Sequence, residues 1–294
     1  IHVSMWYHGK PLLKLEGAHM KYLEIPIEVN GSVEDARLET YILDTPVEKI
    51  QIKKRPMIVI CPGGGYEKLS YREGEPVAMQ FLAKGYHACV LRYSVAPARY
   101  PVPLLELGQV MRIIHSHAEE WRVNTDQIIV SGSSAGGHLA GMLGVFWSRQ
   151  WLADMLETES KVLRPAGMLL CYPVITSDEA QGHLPSFRNL LGEQFEEDKD
   201  KLSLEKQVTD DTPPAFLWHT ATDGTVPVAN SIRMAEALIE CGVPAELHIY
   251  PEGVHGLSLA SEQVRRADGS GVEEVCQSWI DLADIWIKHL CDIK

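Results

Sequence analysis

The chain is short of positive charge. Lys and Arg together number 27 against 40 Asp and Glu, for a formal net charge of −13. Nucleic acid and anionic membranes both need a basic face, so neither is expected as a partner. The six cysteines contain no C-x-x-C pair, which leaves a zinc or thioredoxin-like site without its spacing. Cys61, Cys89 and Cys171 lie within apolar runs, where a free thiol behaves as a small hydrophobe. No repeat or low-complexity tract occurs, and no apolar stretch reaches membrane-spanning length. The first thirty residues lack the apolar core of a secretory leader, although the chain opens on Ile1 rather than Met and a trimmed segment stays open. The reading that follows is a cytoplasmic protein with reduced thiols.

What is present is 294 residues, 45% of them hydrophobic, enough for one large α/β domain or two small ones. Trp6 and Tyr7 are possible packing anchors in an otherwise mixed start. Lys21 to Val29 and Ala36 to Leu43 alternate around Asn30-Gly31, which predicts an antiparallel hairpin at a sheet edge. Continuously apolar runs over Pro56–Cys61, Tyr86–Tyr93, 127–131 and Ala166–Tyr172 read as buried strands. Helical stretches are expected over 75–84, Leu104–Trp121 and Ala135–Trp147, with a proline-rich loop at Pro97–Pro103 and a turn at Asn124-Thr125-Asp126. Strands Ala215–His219 and Ala245–Tyr250, a helix over 228–241 and a closing helix over Val272–Leu290 complete the alternation. Only 177–212 breaks the rhythm; its charges between Glu193 and Lys201 read as a solvated face of a partly helical insertion. Strands alternating with helices predict a mostly parallel sheet covered on both faces. One domain over 1–294 is expected, with 177–212 as a small cap.

The chemistry centres on Gly132-Ser133-Ser134-Ala135-Gly136, a G-x-S-x-G between a buried strand and a small-residue helix. That context is the nucleophile elbow, which pushes the Ser134 hydroxyl out above the sheet edge. Its turn is tight enough that a Cβ at 132 or 136 would strike backbone. The helix N-terminus behind it adds positive potential where an oxyanion forms. A serine hydroxyl needs a base, and the base an orienting acid, in the order Ser, Asp/Glu, His, each in a loop after a strand. Asp223 follows Ala215–His219, and His255 follows Ala245–Tyr250. Asp210 and Asp211 lie at the wrong end of their strand, while His219 and His248 fall inside strands and read as core or face residues. The oxyanion donors should be the N–H groups of Ala135 and of Gly64 or Gly65, from Pro62-Gly63-Gly64-Gly65-Tyr66. No Gly-Lys-Ser/Thr follows these glycines, so they are not a phosphate loop.

Pro62–Tyr66, Gly132–Ala140, Asp223-Gly224-Thr225-Val226-Pro227 and His255-Gly256-Leu257 together resemble the α/β-hydrolase superfamily, in particular its bacterial acetyl xylan esterase-like branch. The resemblance spans roughly residues 56–260. It departs at Pro62, where many lipase-like relatives carry His before the glycines, which argues against a lipid substrate. It implies the α/β-hydrolase fold, a Ser134-His255-Asp223 triad and hydrolysis of short acyl esters, with acetyl on a sugar or xylo-oligosaccharide as the expected substrate, and no cofactor or metal. Tyr66 and Val226 are candidate substrate contacts. A prolyl-oligopeptidase-like peptidase or amidase, or a non-catalytic binding protein on the same fold, are the alternatives. His138 is expected to bond locally, and Trp147 and Trp151 to anchor packing rather than stack on sugars. His115 and His117, two apart on a helix, point to different sides and do not pair on a metal. A homodimer is the default assembly.

Overall fold

The computed structural model describes residues 20–45, 48 and 50–293, together with 6, 7, 10 and 11. There, β1 (Trp6–Tyr7) and β2 (Lys10–Pro11) form a short antiparallel pair; the anchoring role expected of Trp6 and Tyr7 lies outside what is described.

An eight-stranded sheet carries the fold. The expected hairpin is β3 (Lys21–Pro26) against β4 (Arg37–Ile42), and it forms one edge. β5 (Arg55–Cys61) and β6 (His87–Arg92) follow, joined by helix α1 (Glu75–Ala83). Helix α2 (Val102–Ser116) is broken from α3 (Ala118–Trp121) at His117, where a single helix was expected. Strand β7 (Val123–Ser133) leads into α4 (Ala135–Phe146), followed by short helices α5 (Gln150–Met155) and α6 (Ser160–Leu163) and strand β8 (Gly167–Cys171). Helices α7 (Leu184–Leu191) and α8 (Phe195–Asp198) lie in the insertion. Strand β9 (Ala215–Thr220), α9 (Ala229–Glu240), β10 (Ala245–Tyr250) and α10 (Trp279–Leu290) close the chain. The strand order is β10-β9-β8-β7-β5-β6-β4-β3, with parallel pairing everywhere except at β4.

Two further expectations shift. Asn124-Thr125-Asp126 belongs to β7, because Arg55 pairs with Val123 and Met57 with Ile128, so the intervening residues bulge out of register. A turn signal inside a strand is what such a bulge looks like in sequence. The closing helix begins only at Trp279, after a 3₁₀ turn over Glu274–Ser278.

Side-chain alternation along β5 divides the core. Met57, Val59 and Cys61 face the layer that holds α2, α4 and α9, whereas Ile58 and Ile60 face the layer of α1 and α10. The 177–212 segment lies on the first face. Most of its charges point outward, but Phe187, Leu190, Leu191, Phe195, Leu202 and Leu204 are buried in the same cluster as α4. Gly141 on α4 makes this contact possible, since a Cβ there would fall 2.6 Å from Leu204 Cδ1.

Candidate active site

The elbow is built by steric exclusion. Ser134 sits at φ 55°, ψ −121°, a strained left-handed conformation for a residue with a Cβ. Its neighbours make room: a Cβ on Gly132 would lie 2.0 Å from the Gly136 oxygen, and one on Gly136 would lie 2.0 Å from the Cys61 oxygen. The Ser134 N–H is tied to the Cys171 carbonyl of β8 at 3.0 Å. Ala135 opens α4, and the first N–H groups of a helix have no intrahelical acceptor.

His255 Nε2 lies 2.8 Å from Ser134 Oγ, and His255 Nδ1 lies 2.7 Å from Asp223 Oδ2. Because a carboxylate only accepts, Nδ1 carries the hydrogen and Nε2 is free to receive the serine proton. Asp223 Oδ1 accepts the N–H groups of Thr225 and Val226, both at 2.9 Å. His219 Nε2, fully buried, bonds the Val226 carbonyl at 2.9 Å and lies 3.3 Å from Asp223 Oδ2. Burial pushes the Asp223 carboxyl up, yet the hydrogen bonds from His219 and His255 outweigh it and hold the group well below the usual carboxylate range. The acid and histidine loops are laced together at Gly253, whose carbonyl accepts the hydroxyls of Thr220 and Thr222 at 2.9 and 3.1 Å. A Cβ at Gly253 would lie 2.7 Å from Thr220.

Gly64 and Gly65 turn through φ 131° and 68° beside the elbow, and a Cβ on Gly64 would collide with the Lys68 carbonyl at 2.0 Å. The insertion reaches this loop. Asn189 Nδ2 donates to the Gly65 carbonyl at 2.9 Å, and His183 Nδ1 pairs with Ser186 Oγ at 2.8 Å. His183 is held below the usual histidine range, mainly by burial and next by the neighbouring His255.

Two candidate substrate contacts need correction. Tyr66 is buried at 1% exposure, with its hydroxyl 3.0 Å from His138 Nδ1, so its side chain packs inside the fold. Val226 is wholly enclosed beneath the acid loop and contributes its N–H to Asp223 instead. His138 differs too: it does not bond locally. Its Nε2 donates to the Leu202 carbonyl at 2.8 Å, linking the helix behind Ser134 to the insertion, and burial lowers its pKa to about 4. Trp147 does anchor, through Nε1 to the Asp211 carbonyl at 2.9 Å. Sequence reading passed over His219 as acid partner, Glu73 and Tyr172; the last two carry no spacing signal. Among the described residues no group of three His, Cys, Asp or Glu is placed to hold a metal, and no helix is long and apolar enough to cross a membrane.

Comparison with known proteins gives the family. Residues 43–238 match the BD-FAE family model. Endo-1,4-beta-xylanase B of Butyrivibrio fibrisolvens is 36% identical over 219 residues, 71% of this chain and 34% of that protein. An acetylxylan esterase of Xylanibacter ruminicola is 32% identical, over 69% of this chain and 41% of the relative. The chain thus spans only about a third to two fifths of the length of these curated relatives. Over nearly full length it is similar to the crystal structure of an acetyl ester-xyloside bifunctional hydrolase from Caldicellulosiruptor lactoaceticus: TM-score 0.77, 35% identity, 92% of this chain and 97% of that one. This chain belongs to the BD-FAE family and has the α/β-hydrolase fold.

Proposed function

We propose that the protein is a serine ester hydrolase that removes short acyl groups, acetyl above all, from sugars or xylo-oligosaccharides. The observation that carries this reading is the unbroken path from Ser134 Oγ to His255 to the buried Asp223 carboxylate. Ser134 attacks the ester carbonyl while His255 Nε2 takes its proton. The carbonyl oxygen becomes an oxyanion received by the Ala135 N–H and those of Gly64 or Gly65. Collapse expels the alcohol, which receives the proton from His255 and leaves an acyl group on Ser134. Water, deprotonated by the same histidine, attacks the acyl carbon; carboxylate leaves and the serine is restored. Asp223 holds the imidazole in the tautomer this cycle needs and stabilises the imidazolium formed in each half.

The preference for acetylated sugars rests on the relatives, among them an acetylxylan esterase and an acetyl ester-xyloside hydrolase. The chain acts as one domain, with 177–212 walling the site beside the glycine loop, where Ser186 Oγ lies 3.8 Å from where a Gly65 Cβ would be.

The test is a set of initial rates on p-nitrophenyl acetate, butyrate and octanoate, peracetylated xylose and acetylated xylo-oligosaccharides, with Ser134→Ala as control. Fast acetate release from the sugars, falling off by octanoate and reduced by about 10³-fold or more in Ser134→Ala, is expected. Turnover that survives Ser134→Ala overturns the mechanism. Prolyl amide cleavage faster than any ester overturns the substrate class.

A further inference from the structure

We propose that Glu73 and Tyr172 form one positioning unit that sets the glycine loop and the His255 loop against Ser134, a role that rests on the serine-hydrolase reading above. Glu73 ends the 3₁₀ turn ahead of α1 and is buried at 3% exposure, far from the charged surface where a carboxylate is at ease. Its Oε2 accepts the Gly63 N–H at 2.9 Å, and its Oε1 accepts the Tyr172 hydroxyl at 2.8 Å. Tyr172 in turn accepts the Ser258 N–H at 2.8 Å, three residues beyond His255. The Tyr172 ring meets the His255 imidazole edge-on, with centroids 5.3 Å apart. One carboxylate therefore grips three separate parts of the site.

The contacts lie at the reacting groups. A Cβ on Gly63 would sit 2.7 Å from Glu73 Oε2 and 2.9 Å from Ser134 Cβ, so the carboxylate and the nucleophile flank the same glycine. By taking up the Gly63 N–H, Glu73 fixes the peptide that leads into Gly64 and Gly65, the oxyanion donors. Through Tyr172 it fixes the loop that carries the base. Arg72 donates to the Val264 and Gly256 carbonyls at 2.6 and 2.8 Å, and Arg266 donates to the His255 and Gly256 carbonyls. These guanidiniums also tie down the histidine loop through its backbone carbonyls. A fold that needed only filled space here would be served by an apolar side chain, since burying a charge is costly and breaking its bonds more so. What the carboxylate adds is direction, and catalysis depends on placement to fractions of an ångström.

The unit acts through other groups and touches no substrate, so its signature is a fall in kcat with little change in KM. Glu73→Gln keeps the shape but leaves a single acceptor for two donors; Tyr172→Phe removes only the hydroxyl. Both variants and the double are made in the full chain. They are compared with wild type in p-nitrophenyl acetate kinetics, in the rate at which a fluorophosphonate labels Ser134, and in thermal unfolding. Each single variant is expected to lose about 10-fold or more in kcat and labelling rate, with KM within about twofold. The double is expected to be no slower than the slower single, because the two side chains form one path. Rates within twofold of wild type in folded Tyr172→Phe overturn the proposal, as do losses that multiply in the double or that appear in KM alone. Should Glu73→Gln not fold, Tyr172→Phe decides by itself. A wild type that is not labelled at Ser134 brings down the hydrolase reading and this one with it, whereas normal labelling in both singles brings down this one alone.

Discussion

The elbow and the insertion lie against each other and are held by different physics. Every residue of α4 is buried, and the turn that precedes it is defined by places where no side chain fits: Gly132 against Gly136, Gly136 against Cys61. The insertion has no strand and only two short α-helices joined by 3₁₀ turns, with most of its charges outward. It is fastened by a handful of long-range polar bonds and a few apolar side chains. Repulsion leaves the elbow a single conformation, while the insertion is as firm as its fasteners. Ser134 thus sits on a turn held by close backbone packing, and the wall beside it on a part that local changes can loosen.

The largest expected effect comes from filling space at the elbow. In Gly136→Ala the new Cβ would lie 2.0 Å from the Cys61 oxygen and 2.4 Å from the Pro62 oxygen, both backbone atoms that cannot step aside. A loss of more than ~3 kcal/mol is expected, with little soluble folded protein. A variant that folds at the wild-type midpoint in urea would mean the elbow is not fixed by sterics.

Asn230 is the sharper probe of the insertion. Its Oδ1 accepts the N–H groups of Ile175 and Thr176 at 2.9 and 3.1 Å, and its Nδ2 donates to the Gln181 and Pro227 carbonyls at 2.8 and 2.9 Å. Asn230→Ala strands two buried N–H groups, for a loss of about 3 kcal/mol. Hydrogen exchange should quicken over 176–204 well before it quickens over α4. Equal acceleration in both would erase the distinction between the two regions.

Acid tests the bond that joins them. His138 has a pKa of about 4 in the folded protein, lowered by burial, against about 6.5 when unfolded. The unfolded state therefore binds the extra proton between these values, so stability is full above about pH 6.5 and falls as pH drops towards 4. The slope from this group is at most ~1.4 kcal/mol per pH unit. His87, in β6 and also lowered to about 4 by burial, adds a second contribution of the same sign. Unfolding free energies measured from pH 7 to 4.5 should show a shallower decline in His138→Leu than in wild type. Identical slopes would mean that His138 is already solvated.

The smallest effect is expected on the outer face of the insertion. Lys201 pairs with Asp198 at 2.5 Å, but its side chain is 72% exposed. Lys201→Ala should change stability by less than ~0.5 kcal/mol and leave esterase rates unaltered. A larger change in either would make the insertion's charges part of its attachment.

The hairpin at the sheet edge, the buried parallel strands and the strand-elbow-helix unit were legible because each has a local period or a local steric demand. Ser134, Asp223 and His255 could be named from one sequence because each follows a strand in a fixed order, and the structure brings the three within hydrogen-bond reach. Tyr66 and Val226 were candidate contacts by adjacency alone, which does not say which way a side chain turns, and both are buried in the fold. The bulge in β7 was read as a turn because Asn and Asp carry the same local signal in both. His138 was expected to bond within its helix, whereas its acceptor lies 64 residues away at Leu202.

Hydrophobic alternation, glycine placement and the order of motifs are properties of neighbouring residues, so the sequence by itself determined the fold class and the elbow, and pointed to the three side chains that the fold brings together. Which carboxylate faces Gly63, which hydroxyl reaches Ser258 and which carbonyl receives His138 were decided only by the tertiary structure. Tyr172 and Ser258 are 86 residues apart and no periodicity links them. They meet because the sheet places the end of β8 beside the loop that follows β10, and a buried donor left without an acceptor there would destabilise the fold.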